Sequence, residues 1–286
     1  ADIPAYRPQP DDILASAGIL RPALHDILVE KALSDGATVR LGTTISNLVQ
    51  DDNSVTAQLS DGSMGQYDMV VGADGYMSKV RELIFPDAPQ PTFTGQGAWR
   101  AVFDRPEDVA STHMYIGPGF KLGLNPVSDR QMYLFLLESV PENPWRPQSE
   151  WHSTLAALLR EFGGMPRTLA DQLDANSLVN YRPLETLLLP KPWHVGRVVL
   201  IGDAVHATTP HAAYGAGLAA EDAIILADCL VRLGAPAAMA AYAQRRFDRC
   251  QQVLGGSIGL GELEMARAPV GDQLAASAAL YAGTLE

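Results

Sequence analysis

Apolar and polar positions recur along this chain in three successive textures. A helical period comes first. Leu24, Ile27, Leu28 and Leu33 keep three- and four-residue spacing behind Pro22, whose fixed φ suits a first helical turn, and Asp35-Gly36 ends the run. Three strand-like pieces follow at 38–41, 54–59 and 67–71, with Asp61-Gly62 as a hairpin signal between the last two. The third piece runs into Gly72-Ala73-Asp74-Gly75, after which Ser78 is placed to cap a helix reaching about Ile84. From Pro86 the texture changes: alternating segments at 97–103, 113–116, 121–125 and 132–138 predict an antiparallel sheet. Helices over about 149–162 and 169–174 and a strand over 177–188 complete that part. The last texture opens on Val198, Val199, Leu200 and Ile201, the short run of a strand buried on both faces. Gly202-Asp203 stops it, and Gly215 and Gly217 open a helix over 218–233, followed by helices over about 237–257 and from about 271.

This order predicts an α/β fold, a doubly wound nucleotide-type domain into which a mostly antiparallel sheet domain is inserted. The divisions fall at 1–86, 87–188 and 189–286, with C-terminal helices in the last part. Composition narrows the function. Of 286 residues, 47% are hydrophobic and 19% charged, which describes a globular chain and not a disordered one. The net charge of −12 argues against nucleic-acid and anionic-membrane roles. Two cysteines, Cys229 and Cys250, support neither a disulfide framework nor a structural metal site and fit a reducing cytoplasm. No apolar run reaches membrane-spanning length.

Three blocks carry the chemistry. They are Ile19-Leu20-Arg21 with Leu24, the segment from Asp74-Gly75 to Arg81, and Gly202-Asp203-Ala204-Val205-His206-Ala207-Thr208-Thr209-Pro210-His211. In the third, a strand ends in an acid and a glycine-opened helix follows, so free N–H groups face a loop where an electron-rich ligand can bind. Together the blocks resemble the single-component flavin aromatic hydroxylases of the p-hydroxybenzoate hydroxylase fold, nearest the salicylate hydroxylase branch, in order and spacing over roughly 19–230.

The resemblance implies FAD as cofactor, NADH or NADPH as co-substrate, and a small aromatic substrate hydroxylated with molecular oxygen through a flavin C4a-hydroperoxide. It implies that Asp203 accepts hydrogen bonds from the ribityl hydroxyls. Gly215, Ala216, Gly217 and Leu218 then face the pyrimidine edge, where a positive helix end favours the reduced anion. Pro210 lies against the ring, Arg21 contacts FAD, and Asp74 orients neighbouring groups. His211 is the candidate catalytic residue, because a histidine beside flavin can take the proton of a phenolic or pyridinol-type substrate; its rival role is structural. His206 is expected to hold the loop, and Arg81 is weighed evenly against a plain surface position. On the inserted sheet, Trp99, Arg100, Tyr115, Tyr133 and Phe135 are expected to line one face; Arg100, Tyr115 and Tyr133 are the substrate candidates, with Arg100 suited to a carboxylate.

Two departures stand out. Ala213 occupies a position where the family usually has glycine. No strand with Gly-x-Gly-x-x-Gly precedes Arg21, so the phosphate loop of a first βαβ unit is missing and the chain reads as lacking that segment. Two rival readings follow. One is the same scaffold acting on a larger polyketide-like or isoprenoid substrate. The other is a flavin-free degenerate fragment. A homodimer is left open.

Overall fold

The computed structural model of the protein describes residues 18–117 and 119–285, with side chains as far as Tyr281. The proline- and aspartate-rich opening of the chain, residues 1–17, lies outside them. The described chain forms two compact units: one comprises 18–39 and 97–182, the other 40–96 and 183–285.

In the first unit, helix α1 (Arg21–Ser34) has no buried residue, so its apolar spacing does not translate into a packed face. The sheet pairs in the order β6-β7-β8-β5-β9. Its strands are β5 (Thr92–Asp104), β6 (His113–Gly117), β7 (Phe120–Pro126), β8 (Gln131–Ser139) and β9 (Val179–Thr186), all but the ends of β5 and β9 lying in this unit. Alternation along β8 buries Met132, Leu134 and Leu136 while Tyr133 and Phe135 stay half-buried. The buried set packs with Leu155 and Leu159 of α3 (Trp151–Arg160) and Leu169 and Ala170 of α4 (Met165–Ala170), one hydrophobic core covering one sheet face.

The second unit carries two small sheets. β1 (Ile45–Gln50), β2 (Val55–Leu59) and β3 (Met64–Tyr67) form an antiparallel meander, with Gly62 at φ 84° in the predicted turn. The strand expected at 38–41 is absent; Ile45–Gln50 is the strand that pairs with β2. The strand expected at 67–71 is divided between β3 and β4 (Val70–Gly72). β4 pairs in parallel with β11 (Val198–Leu200), which also takes β10 (His194–Val195) antiparallel. Val198, Val199 and Leu200 are wholly buried, as their unbroken apolar run predicts. Around them pack α2 (Lys79–Ile84), the single-turn α5 (Asp203–His206), α6 (Gly215–Leu233) and α7 (Ala235–Met265), and α8 (Val270–Leu285) follows. α7 runs eight residues beyond the predicted 257, through Gly259 and Gly261. Tertiary contact overrides the weak helix propensity of those glycines.

Candidate functional site

The loop between β11 and α6 is held by a buried polar network that starts at Gly202. This residue takes φ 60°, a conformation glycine reaches without Cβ strain, and a Cβ there would approach Ala219 Cβ to 3.2 Å. Its N–H donates to Asp222 Oδ2 at 2.8 Å. The same carboxylate meets His206 Nε2 at 2.5 Å and accepts from Arg246 Nε at 2.7 Å. Arg246 also donates to the Leu218 carbonyl and to Glu221, and Tyr214 Oη donates to Glu221 Oε1 at 2.7 Å. Asp222 and His206 are buried almost completely. Burial alone would discharge both groups, but their mutual hydrogen bond and attraction outweigh it. The His206 pKa is raised to about 10, and that of Asp222 falls below the usual carboxylate range. His206 therefore holds the loop, as the sequence suggested. His206, Asp222 and Cys250 offer ligand atoms within 4.8 Å of one another. The Arg246 guanidinium lies against the same groups, with Nη2 3.8 Å from Cys250 Sγ and Nε bonded to Asp222, and joins them in one ion-pair network.

A second brace comes from the Asp74 block. Asp74 Oδ1 accepts from Ser78 Oγ at 2.5 Å and Oδ2 from the Val80 N–H at 3.0 Å. Ser78 in turn caps α2 by accepting the Arg81 N–H. Asp74 thus fixes the start of α2. Arg81 departs from a surface position: it is 1% exposed and donates to the Ala204 carbonyl at 2.9 Å and the Tyr76 carbonyl at 2.7 Å. It ties the second sequence block to the third.

Asp203 opens α5 with its side chain exposed. Downstream, no side chain caps α6, and its first turn carries no acid. Leu218 N–H makes the bond back to the Tyr214 carbonyl, so the N–H groups of Gly215, Ala216 and Gly217 are left at the helix end. A Cβ on Gly217 would sit 2.8 Å from the Tyr214 ring, which leaves room only for backbone. A carboxylate beside a positive helix end can hold a polyhydroxyl chain and an electron-rich ring edge. Pro210 begins a 3₁₀ turn through Ala212, and Ala213 follows at φ 50°, ψ 22°. Ala213 therefore holds a left-handed backbone that glycine reaches more easily.

His211 points inward. Its side chain is buried, with Nδ1 2.9 Å from Thr209 Oγ1 and Nε2 3.2 Å from Glu264 Oε2. In the other unit, Arg21 is exposed at the start of α1. The five sheet residues do not share one face. Trp99 is packed at 4.5 Å against Tyr181, and Tyr115 lies opposite Leu122 and against Phe162; both belong to the helix-covered side. Strand alternation turns Arg100, Tyr133 and Phe135 to the opposite side. Asp222, Arg246 and Glu264 escaped the sequence reading. Asp222 lies inside the predicted helix over 218–233 and Glu264 beyond the predicted end of the next one.

This frame, a strand-loop-helix braced by Asp222 and Arg81 with an exposed acid before an uncapped helix, is that of a flavin-binding scaffold. The chain belongs to the FAD-dependent aromatic hydroxylase family: the family model for the FAD binding domain matches residues 15–257. Among relatives, the chain is 34% identical over 212 residues to the 2-heptyl-3-hydroxy-4(1H)-quinolone synthase of Pseudomonas aeruginosa, covering 72% of this chain and 54% of that protein. It is 32% identical over 257 residues to the 6-hydroxynicotinate 3-monooxygenase of Pseudomonas fluorescens, covering 82% of this chain and 62% of that protein. A solved salicylate hydroxylase substrate complex superposes with a TM-score of 0.71 at 26% identity, over 92% of this chain and 70% of that one. The chain spans about two-thirds or less of the length of the curated relatives it matches.

Proposed function

We propose that the protein carrying this chain is a flavin-dependent monooxygenase. It would use FAD, NADH or NADPH, and molecular oxygen to hydroxylate a small phenolic or pyridinol-type aromatic acid. The observation that carries this reading is the exposed Asp203 carboxylate placed in the loop ahead of the uncapped α6 end. Asp203 accepts the ribityl hydroxyls, and the N–H groups of Gly215, Ala216 and Gly217, with Leu218 behind them, favour negative charge on the pyrimidine edge. Pro210 supports the ring and Asp74 keeps the α2 start in place. Arg21, exposed, is retained as a cofactor contact. When bound, FAD would supply reduction by the nicotinamide and activation of oxygen. His211 serves as the acceptor for the substrate's hydroxyl proton, which raises the nucleophilicity of the ring. On the sheet, Arg100 pairs with a substrate carboxylate and Tyr133 offers a hydroxyl on the same side; Tyr115 shapes the sheet from its packed side.

The names of the relatives at 34% and 32% identity carry a quinolone and a hydroxynicotinate, which supports a hydroxylated heteroaromatic ring as substrate class. Purified full-length protein supplied with FAD should oxidise NADH or NADPH severalfold faster with 6-hydroxynicotinate, salicylate or a 4-quinolone than without, and yield a product heavier by one oxygen. Protein that cannot be reconstituted with FAD, or oxidation that no aromatic compound stimulates, would sink the proposal. Stimulation by the alkylated quinolone alone would select the larger-substrate reading.

A further inference from the structure

The inward-facing His211 meets a second polar cluster that the proposed reaction leaves unexplained. One face of α7 follows the loop residue by residue. Ser257 Oγ accepts the Ala212 N–H at 3.2 Å, Gly261 lies beneath the imidazole, and Glu264 Oε2 meets His211 Nε2 at 3.2 Å. A Cβ on Gly261 would come within 3.1 Å of His211 Cε1 and 2.7 Å of Gln96 Oε1, so the helix backbone itself forms the floor under the ring. From β5, Gln96 Nε2 donates to the same Glu264 oxygen at 3.2 Å. Gln96, Thr209, His211, Ser257 and Glu264 are all buried. Glu264 is the one other ionisable side chain among these residues that face the ring.

The geometry fixes a direction. A reversed Gln96 amide would set its oxygen against the carboxylate, so the Glu264 oxygen is the acceptor for both neighbours. His211 then carries its hydrogen on Nε2, and Nδ1 is left as the basic atom of the ring, facing the Thr209 hydroxyl at 2.9 Å. We infer that Glu264, supported by Gln96, is a positioning residue that fixes the tautomer of His211. Any proton His211 takes up would therefore arrive through Thr209 Oγ1: the hydroxyl releases its own hydrogen to Nδ1 and accepts the incoming one, so Thr209 is unchanged. This rests on the reading of His211 as proton acceptor.

Two measurements test it. Nitrogen-15 spectra of the histidines in the full-length protein should show His211 protonated at Nε2 and bare at Nδ1 near neutral pH. That signature should be lost or mixed in Glu264→Gln and recovered in Glu264→Asp. An Nδ1-protonated ring in the wild type overturns the inference. In the holoenzyme, Glu264→Gln should lower kcat about tenfold or more, as when a histidine's outer hydrogen-bond partner is removed, with KM and FAD affinity within roughly twofold. In a His211→Gln background the second substitution should add nothing. Additive losses overturn the role of Glu264 alone. A His211→Gln variant with wild-type rate and pH profile overturns the proton-acceptor reading together with it.

Discussion

At the scale of single residues, Asp222 shows why a buried charge is tolerable only when every partner is present. Its carboxylate serves Gly202, His206 and Arg246 at once. Asp222→Asn would leave Arg246 and His206 uncompensated, with an expected loss of about 3–5 kcal/mol by denaturant titration. The wild-type pair also gives stability a pH signature. The folded His206 pKa is raised, so its contribution is complete below its ordinary value of roughly 6.5 and is lost as pH rises towards about 10. Asp222 is depressed, so its contribution is complete above roughly 4 and is lost as pH falls through the lowered value. Stability measured against pH should plateau between about 4 and 6.5 and decline towards 10, with the alkaline decline absent in Asp222→Asn. Ala213 offers a test of the opposite sign. It holds φ 50° at some cost, so Ala213→Gly should be neutral to stabilising by up to about 1 kcal/mol, the relief of left-handed strain outweighing the greater freedom of glycine in the unfolded chain. How far single residues were legible followed their chemistry. His206 was readable as a loop anchor because a histidine amid an apolar loop needs a partner. That partner was not, because Glu221 and Asp222 have the look of solvated helix surface until Arg246 arrives from a separate helix.

Among elements, the strands were legible wherever side chains alternate against a core, as in β8 from Gln131 to Leu136, where burial follows the pattern position by position. Legibility failed where long-range pairing decides. Residues 38–41 have strand-like composition, yet β2 takes Ile45–Gln50 as partner. It failed again at the end of α7, where Gly259 and Gly261 spell a breaker, but the close approach of Gln96 and His211 demands a small residue at Gly261. The link between α2 and α5 is the element-scale claim with the clearest consequence. Arg81 joins carbonyls of Tyr76 and Ala204 that no local pattern connects. Arg81→Leu should cost about 2–4 kcal/mol, since two charge-assisted bonds to buried carbonyls are lost. Because Ala204 follows Asp203 directly, the same variant should weaken FAD binding even at temperatures where it remains folded; unchanged affinity in a destabilised variant would show that the brace serves the fold alone.

For the whole molecule, a mixture of helices with an antiparallel sheet was readable from texture alone, whereas helix α1 joins the sheet unit and not the part that the order of elements suggested; the family resemblance rested on two long motifs whose residues fold side by side as the Asp74 and Gly202 blocks. What texture could not supply was the sheet's sidedness across strands: Tyr115 and Tyr133 both alternate correctly, yet register puts them on opposite faces. Among the described residues no helix is long and apolar enough to cross a membrane. The chemistry assigned to the molecule stands on the flavin being held by Asp203 and the start of α6. Titrating the full-length protein with FAD while following flavin fluorescence tests this most directly. The wild type should show saturable one-to-one binding, and Asp203→Ala should weaken it at least tenfold with an unchanged far-ultraviolet circular dichroism spectrum. No binding by the wild type, or equal binding by a folded Asp203→Ala variant, would contradict the account.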